Sequence, residues 1–143
     1  MIAVDTNVLV YAHREELPLH DLSRERLVAL AEGDAAWAIP VFCLGEFLRV
    51  STHPRLFDPP FSVADASEAL GRLLASPSLR VLMPGARYWS LLSGAVKEAD
   101  ARGNLVFDAQ IVAVCRESGV HALLTEDRDF DRFAPFTTMR VTG

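Results

Sequence analysis

Five carboxylates of this chain stand where a negative charge is costly. Asp5 follows the apolar run Ile2-Ala3-Val4, and apolar residues resume at Val8-Leu9-Val10. Glu46 lies inside the apolar segment Val41 to Val50, with Phe42, Leu44, Phe47 and Leu48 around it. Asp108 sits in Leu105 to Cys115, where helical spacing puts it on the face of Ile111, Val112 and Cys115. Asp127 and Asp129 come directly after the apolar triplet Ala122-Leu123-Leu124. A carboxylate in such surroundings is unfavourable unless a cation meets it. Four or five acids converging without matched bases would repel one another. A hard divalent cation resolves that conflict, because Mg²⁺ prefers carboxylate oxygens and retained water. Bound in this way it can activate a water and neutralise a phosphate. Each acid also has a plainer reading. Asp5 can cap the helix behind it, Glu46 can pair with Arg49, Asp108 can be a first-turn acid favoured by the helix dipole, and Asp127 can close a turn beside Arg128.

The elements that would position these acids alternate between strand and helix. Ile2 to Val4, Trp37 to Ile39, Arg80 to Met83 and Ala122 to Leu124 read as short buried strands, with Met139 to Val141 as a last edge strand. Thr6 and Asn7 favour a helix start. Leu22, Leu27, Leu30 and Ala31 repeat at helical spacing in a helix that Asp21 or Ser23 can cap and Gly33 ends. Helices are also expected over Val41 to Val50, from Ser62 to Ala75, from Tyr88 to Ala101 and over Leu105 to Cys115, the last closed by Gly119. Ser51 to Phe61 holds three prolines and forbids a regular element, with Leu56, Phe57 and Phe61 pinning it down. His13 and His20 read as solvated loop residues. The alternation implies βαβ units, a parallel sheet and right-handed crossovers.

Length and composition bound the function. With 143 residues, half of them apolar and 23% charged, the chain is expected to be a single domain spanning residues 1–143. No apolar run reaches the roughly 18–20 residues that span a bilayer, and Asp5 interrupts the place where a signal peptide would be apolar. A cytoplasmic protein without membrane attachment is therefore expected. Cys43 and Cys115 lie far apart in apolar segments and read as buried small hydrophobes. The net charge of −5 argues against a general nucleic-acid coat protein, and does not exclude a nuclease whose acidic pocket holds metal ions.

The order Asp-Thr-Asn after an opening strand, Glu46 in the helix after the second strand, Asp108-Ala109 in a late helix, and Thr125-x-Asp127-x-Asp129-Phe130 near the end resembles the PIN domain. Thr52-His53-Pro54-Arg55-Leu56-Phe57 and Leu124 to Phe130 look like one subgroup of the VapC toxins of bacterial toxin–antitoxin pairs. The resemblance covers essentially the whole chain. It implies a three-layer α/β/α sandwich around a parallel sheet, and an endoribonuclease that uses Mg²⁺ or Mn²⁺ on structured RNA such as transfer or ribosomal RNA. It also implies a VapB antitoxin partner and a homodimer. By the family's pattern, Asp5 and Asp108 hold the metal directly. Glu46 and Asp127 bind it through water or orient the attacking water, with Asp129 in reserve for Asp127. Thr6 and Thr125 steady those carboxylates. Arg49, Arg55 and Arg128 are candidate phosphate contacts. The alternative is a catalytically silent PIN-like subunit that binds RNA or protein, which would usually have lost one of the acids. A haloacid-dehalogenase-like phosphatase needs a second Asp where Asn7 stands. A response-regulator receiver needs a lysine after a late strand, and Lys97, the only lysine, falls in a helix.

Overall fold

The computed structural model describes every residue from Met1 to Gly143. Five short strands form one sheet: β1 (Ile2–Val4), β2 (Trp37–Pro40), β3 (Leu79–Leu82), β4 (Ala122–Leu124) and β5 (Thr138–Met139). All are parallel, in the order β3-β2-β1-β4-β5. Ile2 lies level with Trp37 on one side and with Ala122 on the other. Six α-helices connect the strands: α1 (Thr6–His13), α2 (His20–Glu32), α3 (Val41–Ser51), α4 (Val63–Leu74), α5 (Tyr88–Glu98) and α6 (Leu105–Glu117). The first four pack on one another, α1 against α2 and α3, and α3 against α4, while α5 packs along α6. The result is the expected central parallel sheet flanked by helices. No helix is long and apolar enough to cross a membrane.

The topology creates the place where a site can form. From β1 the chain steps through β2 to β3 on one side, then returns to lay β4 against the other side of β1. Neighbouring strands whose connections leave in opposite directions open a crevice past their carboxyl ends. Asp5 and Thr125, each the residue after its strand, stand at that crevice.

Burial explains the element pattern. The inner strands β1, β2 and β4 are almost wholly apolar because both faces are covered by helices. Trp37, Ile39, Phe47, Leu9, Leu123, Phe130 and Phe133 fill one continuous core. Cys43 and Cys115 are free thiols in that core.

Several boundaries differ from the sequence reading, and local bonds give the reasons. Helix α5 ends at Glu98 rather than Ala101. Asp100 adopts a left-handed conformation at φ 48°, and the Ala101 amide donates back to the Val96 carbonyl at 2.9 Å, closing the helix. Gly119, at φ 68°, closes α6 in the same way. Helix α2 begins at His20, without a side-chain cap, so Asp21 and Ser23 lie inside it. His13 and His20 are not solvated loop residues. Their Nδ1 atoms bond the Leu9 and Tyr11 carbonyls, and the His13 ring meets Phe47 edge-on. The last strand is shifted to Thr138–Met139, because the Val141 amide leaves the ladder for the Glu126 carboxylate.

The proline-rich loop is held by a cation as well as by apolar contacts. The buried Arg14 guanidinium lies 4.3 Å from the Phe57 ring centre and 4.8 Å from that of Phe61. It also donates to the Pro59 carbonyl and to Glu16. Leu56, by contrast, is exposed.

Phe47, next to Glu46 in α3, is fully buried and meets the His13 ring of α1. Phe47→Ala should therefore lower stability by about 3–5 kcal/mol in chemical denaturation. A loss below about 1 kcal/mol would place that ring outside the core.

Candidate metal centre

The site is assembled from four segments that meet beyond the carboxyl ends of β1 and β4. Asp5, only 5% exposed, follows β1 and caps α1, its Oδ1 accepting the Thr6 amide at 2.7 Å. Its Oδ2 accepts the Thr125 hydroxyl at 2.7 Å and the Asn7 side-chain amide at 3.2 Å. The Cys43 thiol lies 3.7 Å from Oδ1. The capping reading of Asp5 therefore holds, with the second carboxylate oxygen turned to Thr125 and Asn7. Thr6 contributes its amide and Thr125 its hydroxyl. In the sequence Asn7 reads as a helix starter and part of the Asp-Thr-Asn motif, with no bonding role of its own. It ties Asp5 and Thr125 together and accepts the Glu126 amide at 3.2 Å. An amide two residues past the acid, in the first helical turn, was the signal for that role.

A cavity of about 680 Å³ is lined by Glu46 and Arg49 from α3, Asp108 and Phe107 from α6, and Asp127 and Asp129 from the segment after β4, while the buried Asp5 is not part of its lining. The carboxylate oxygens of Asp108, Asp127 and Asp129 all come within 4.8 Å of one another. Asp127 and Asp129 are therefore not alternatives in space, since both face Asp108. The Asp127 amide donates to Thr125 Oγ1 at 3.0 Å, and Asp127 Oδ1 accepts the Asp129 amide at 2.9 Å, which turns the loop so that both acids point inward. Glu46 stands on the cavity wall rather than in that trio, and it forms no ion pair with Arg49 within 4 Å.

The electrostatics show that the acids sense one another. Burial pushes the Asp5 carboxyl up to about 6, against the hydrogen bonds of Thr125 and Thr6, and the charges of Glu46 and Asp127 add to the rise. Asp108 is pushed up to about 7, first by lost solvation and then by Asp127, Asp5, Asp129 and Glu46. Glu46 is raised by burial and by Asp127, with Arg49 opposing. Oxygen-only donors of like charge around one point suit a hard divalent cation and offer nothing to a thiophilic metal. The donor set therefore fits a hard divalent cation.

Removing one charge should relieve the cluster in metal-free protein. For an acid, a raised folded pKa means that the folded chain keeps its proton to higher pH than the unfolded chain does. The folded state is then at no disadvantage below pH ~4. The disadvantage grows as pH rises from there toward 7, and stays constant above. With the screening of a half-exposed carboxylate allowed for, the cost of Asp108 at neutral pH is about 1–2 kcal/mol. Asp108→Asn in a chelator should thus melt a few degrees above the parent at pH 7.5 and level with it at pH 4. Added Mg²⁺ should raise the parent more than the variant. A variant melting below the parent at pH 7.5 would reject the strained cluster.

Comparison with known proteins identifies the family. The sequence model of the PIN domain matches residues 2–135. The chain is 41% identical over 133 residues to Ribonuclease VapC43 of Mycobacterium tuberculosis, covering 93% of this chain and 90% of that protein. It is 36% identical over 140 residues to Ribonuclease VapC25 of the same organism, covering 98% of each. Among solved structures, VapBC2 from Rickettsia felis, bound to a DNA fragment from its promoter, superposes with a TM-score of 0.71 at 20% identity over 98% of each chain. M. tuberculosis VapC20, a sarcin-ricin loop cleaving toxin, superposes with a TM-score of 0.68 at 20% identity, over 92% of this chain and 93% of that one. With a family match across nearly its whole length and relatives of this similarity, the chain belongs to the PIN domain family, in its VapC group.

Proposed function

We propose that this protein is the toxin of a VapBC pair, a Mg²⁺-dependent endoribonuclease that cleaves structured RNA, with Mn²⁺ able to replace Mg²⁺. The observation that carries the reading is the trio Asp108, Asp127 and Asp129, with oxygens within 4.8 Å of one another, backed by Asp5 and flanked by Glu46. A silent binding subunit has no need to keep five mutually repelling acids together.

In this reading, Asp108, Asp127 and Asp129 would hold the ion, and Asp5, outside that trio and held by Thr6, Thr125 and Asn7, would support them rather than bind the ion directly as the resemblance implies. A bound divalent ion supplies charge neutralisation at the phosphate and lowers the pKa of a water. The chain's own residues do the rest. Thr125 and Asn7 fix the orientation of Asp5 by donating to Oδ2. Glu46, on the cavity wall and without an ion-pair partner, orients the attacking water. Arg49, lining the same cavity and likewise unpaired, meets a phosphate oxygen. Phe107, 62% exposed at the cavity's edge, offers a face on which an unstacked base can lie.

The relatives' names support RNA as substrate, and the sarcin-ricin loop named for VapC20 favours ribosomal RNA over an unstructured strand. Neighbours solved as VapBC complexes support a VapB antitoxin. The protein is further read as one PIN unit over residues 1–143, acting as a homodimer in the cytoplasm.

Cleavage of transfer or ribosomal RNA by the purified chain should require Mg²⁺ and stop in chelator. Asp108→Asn should lose more than the about 10–100-fold typical of residues that only support a metal ligand. Mapping of new RNA 5′ ends after brief induction measures both. Cutting at the parental rate by this variant would reject the metal assignment. Because the pocket is rich in uncompensated acids, the antitoxin should neutralise it with Arg or Lys. Inhibition that survives replacement of every basic residue in the antitoxin's binding segment would count against that.

A further inference from the structure

The loop after β4 carries Thr125, Asp127 and Asp129, and its outer side is gripped by residues 137–141. The Thr125 amide donates to the Met139 carbonyl at 3.0 Å as the ladder of β4 and β5 ends. The Arg140 guanidinium then turns under the loop. Its Nη1 donates to the main-chain carbonyls of Thr125 at 2.6 Å and Asp127 at 3.3 Å. Its Nη2 reaches the Asp131 carboxylate at 3.3 Å. The Thr138 hydroxyl holds the same carboxylate at 3.2 Å, and the Val141 amide donates to Glu126 Oε1 at 2.7 Å. The family match ends at residue 135, so this grip comes from beyond the matched region.

We propose that Arg140 is a positioning residue for the metal centre: by holding the carbonyls of Thr125 and Asp127 it sets how far Asp127 and Asp129 stand from Asp108. This rests on the reading that those acids bind a divalent cation. The physical need is plain. Three carboxylates within 4.8 Å repel one another, and Asp127 and Asp129 sit at the cap and first turn of a short 3-10 helix (Arg128–Phe133), a weaker support than the long α-helix that carries Asp108. A planar guanidinium can satisfy two carbonyls and a carboxylate at once, and charge-assisted donors make stronger bonds than neutral ones. The bridge to Asp131 contributes little by itself, because that carboxylate is half-exposed. The carbonyl bonds are the ones that define the loop. Arg140 is mostly covered, with 22% of its side chain exposed, and it does not line the cavity. It touches neither substrate nor metal.

Arg140→Gln and Arg140→Lys test this, with two readouts. In metal-free protein, Arg140→Gln should speed amide hydrogen exchange at Asp127 and Asp129 about tenfold while leaving α6 unchanged. In calorimetric titration with Mn²⁺, it should weaken binding by about 10–100-fold, the usual effect of removing a residue that orients a metal ligand. Arg140→Lys, which keeps the charge but not the fork, should fall between parent and Gln. A Gln variant that binds Mn²⁺ as tightly as a binding-competent parent overturns the positioning role, whatever its exchange rates. So does exchange that quickens equally in α6, because that marks general loosening. A parent that binds no Mn²⁺ overturns the metal reading itself, and the positioning role falls with it.

Discussion

The Thr125 hydroxyl donates to Asp5 at 2.7 Å, and most of the site follows from that bond. It joins the residues that leave β1 and β4, two strands adjacent in the sheet but 120 residues apart in the chain. The same oxygen accepts the Asp127 amide, so one hydroxyl places the oldest acid of the cluster and the loop that brings the latest two. Its geometry depends on the parallel register of β1 with β4, in which Val4 lies level with Leu124 and each strand releases its next residue at the same height. Asn7 completes the link by bonding both partners. Without the pairing of these strands there is no shared crevice, and without the hydroxyl the buried carboxylate of Asp5 would keep its desolvation cost with less to offset it.

The rest of the fold works against an opposing force. Core packing, with Phe47, Phe130 and Phe133 fully buried, drives together segments whose acids resist meeting. Raised values at Asp5 and Asp108 record first the lost solvation of these carboxylates and then the charges of their neighbours. Such strain at one spot is tolerable because a native domain needs only a small net stability, drawn from many apolar contacts. It is also useful, since acids that repel in the absence of a cation bind one more readily when it arrives. Stability and metal affinity are thus set against each other through the same side chains.

Much of this was legible from residue types alone. Strands buried on both faces must be apolar, so Ile2-Ala3-Val4 and Ala122-Leu123-Leu124 stand out, and an acid just past them marks the strand ends. Asp108 stands out because a carboxylate interrupts a helix otherwise buried at Ile111, Val112 and Cys115. What was not legible depended on tertiary partners. Asp127 and Asp129 looked like competitors for one place, and only the turn held by Thr125 shows that both face inward. The start of α2 at His20 has no local cap to announce it, and is set instead by the bond of His20 to Tyr11. Arg140 gives no signal at all, because nothing near it in the chain resembles a ligand and its partners are carbonyls fifteen and thirteen residues away.

The strand order has a consequence for the growing polypeptide. β1 is made first, yet one of its two neighbours, β4, is made more than a hundred residues later. Until then the first strand can pair with β2 on one side only, and its other edge is open. Contacts between such distant parts of a chain form late in folding. A polypeptide interrupted anywhere before residue 125 therefore lacks the hydroxyl that holds Asp5 and both acids of the late loop, and carries an unpaired strand in their place. The acid cluster is therefore assembled only after residues 125 to 129 have been made, and no shorter nascent chain carries it.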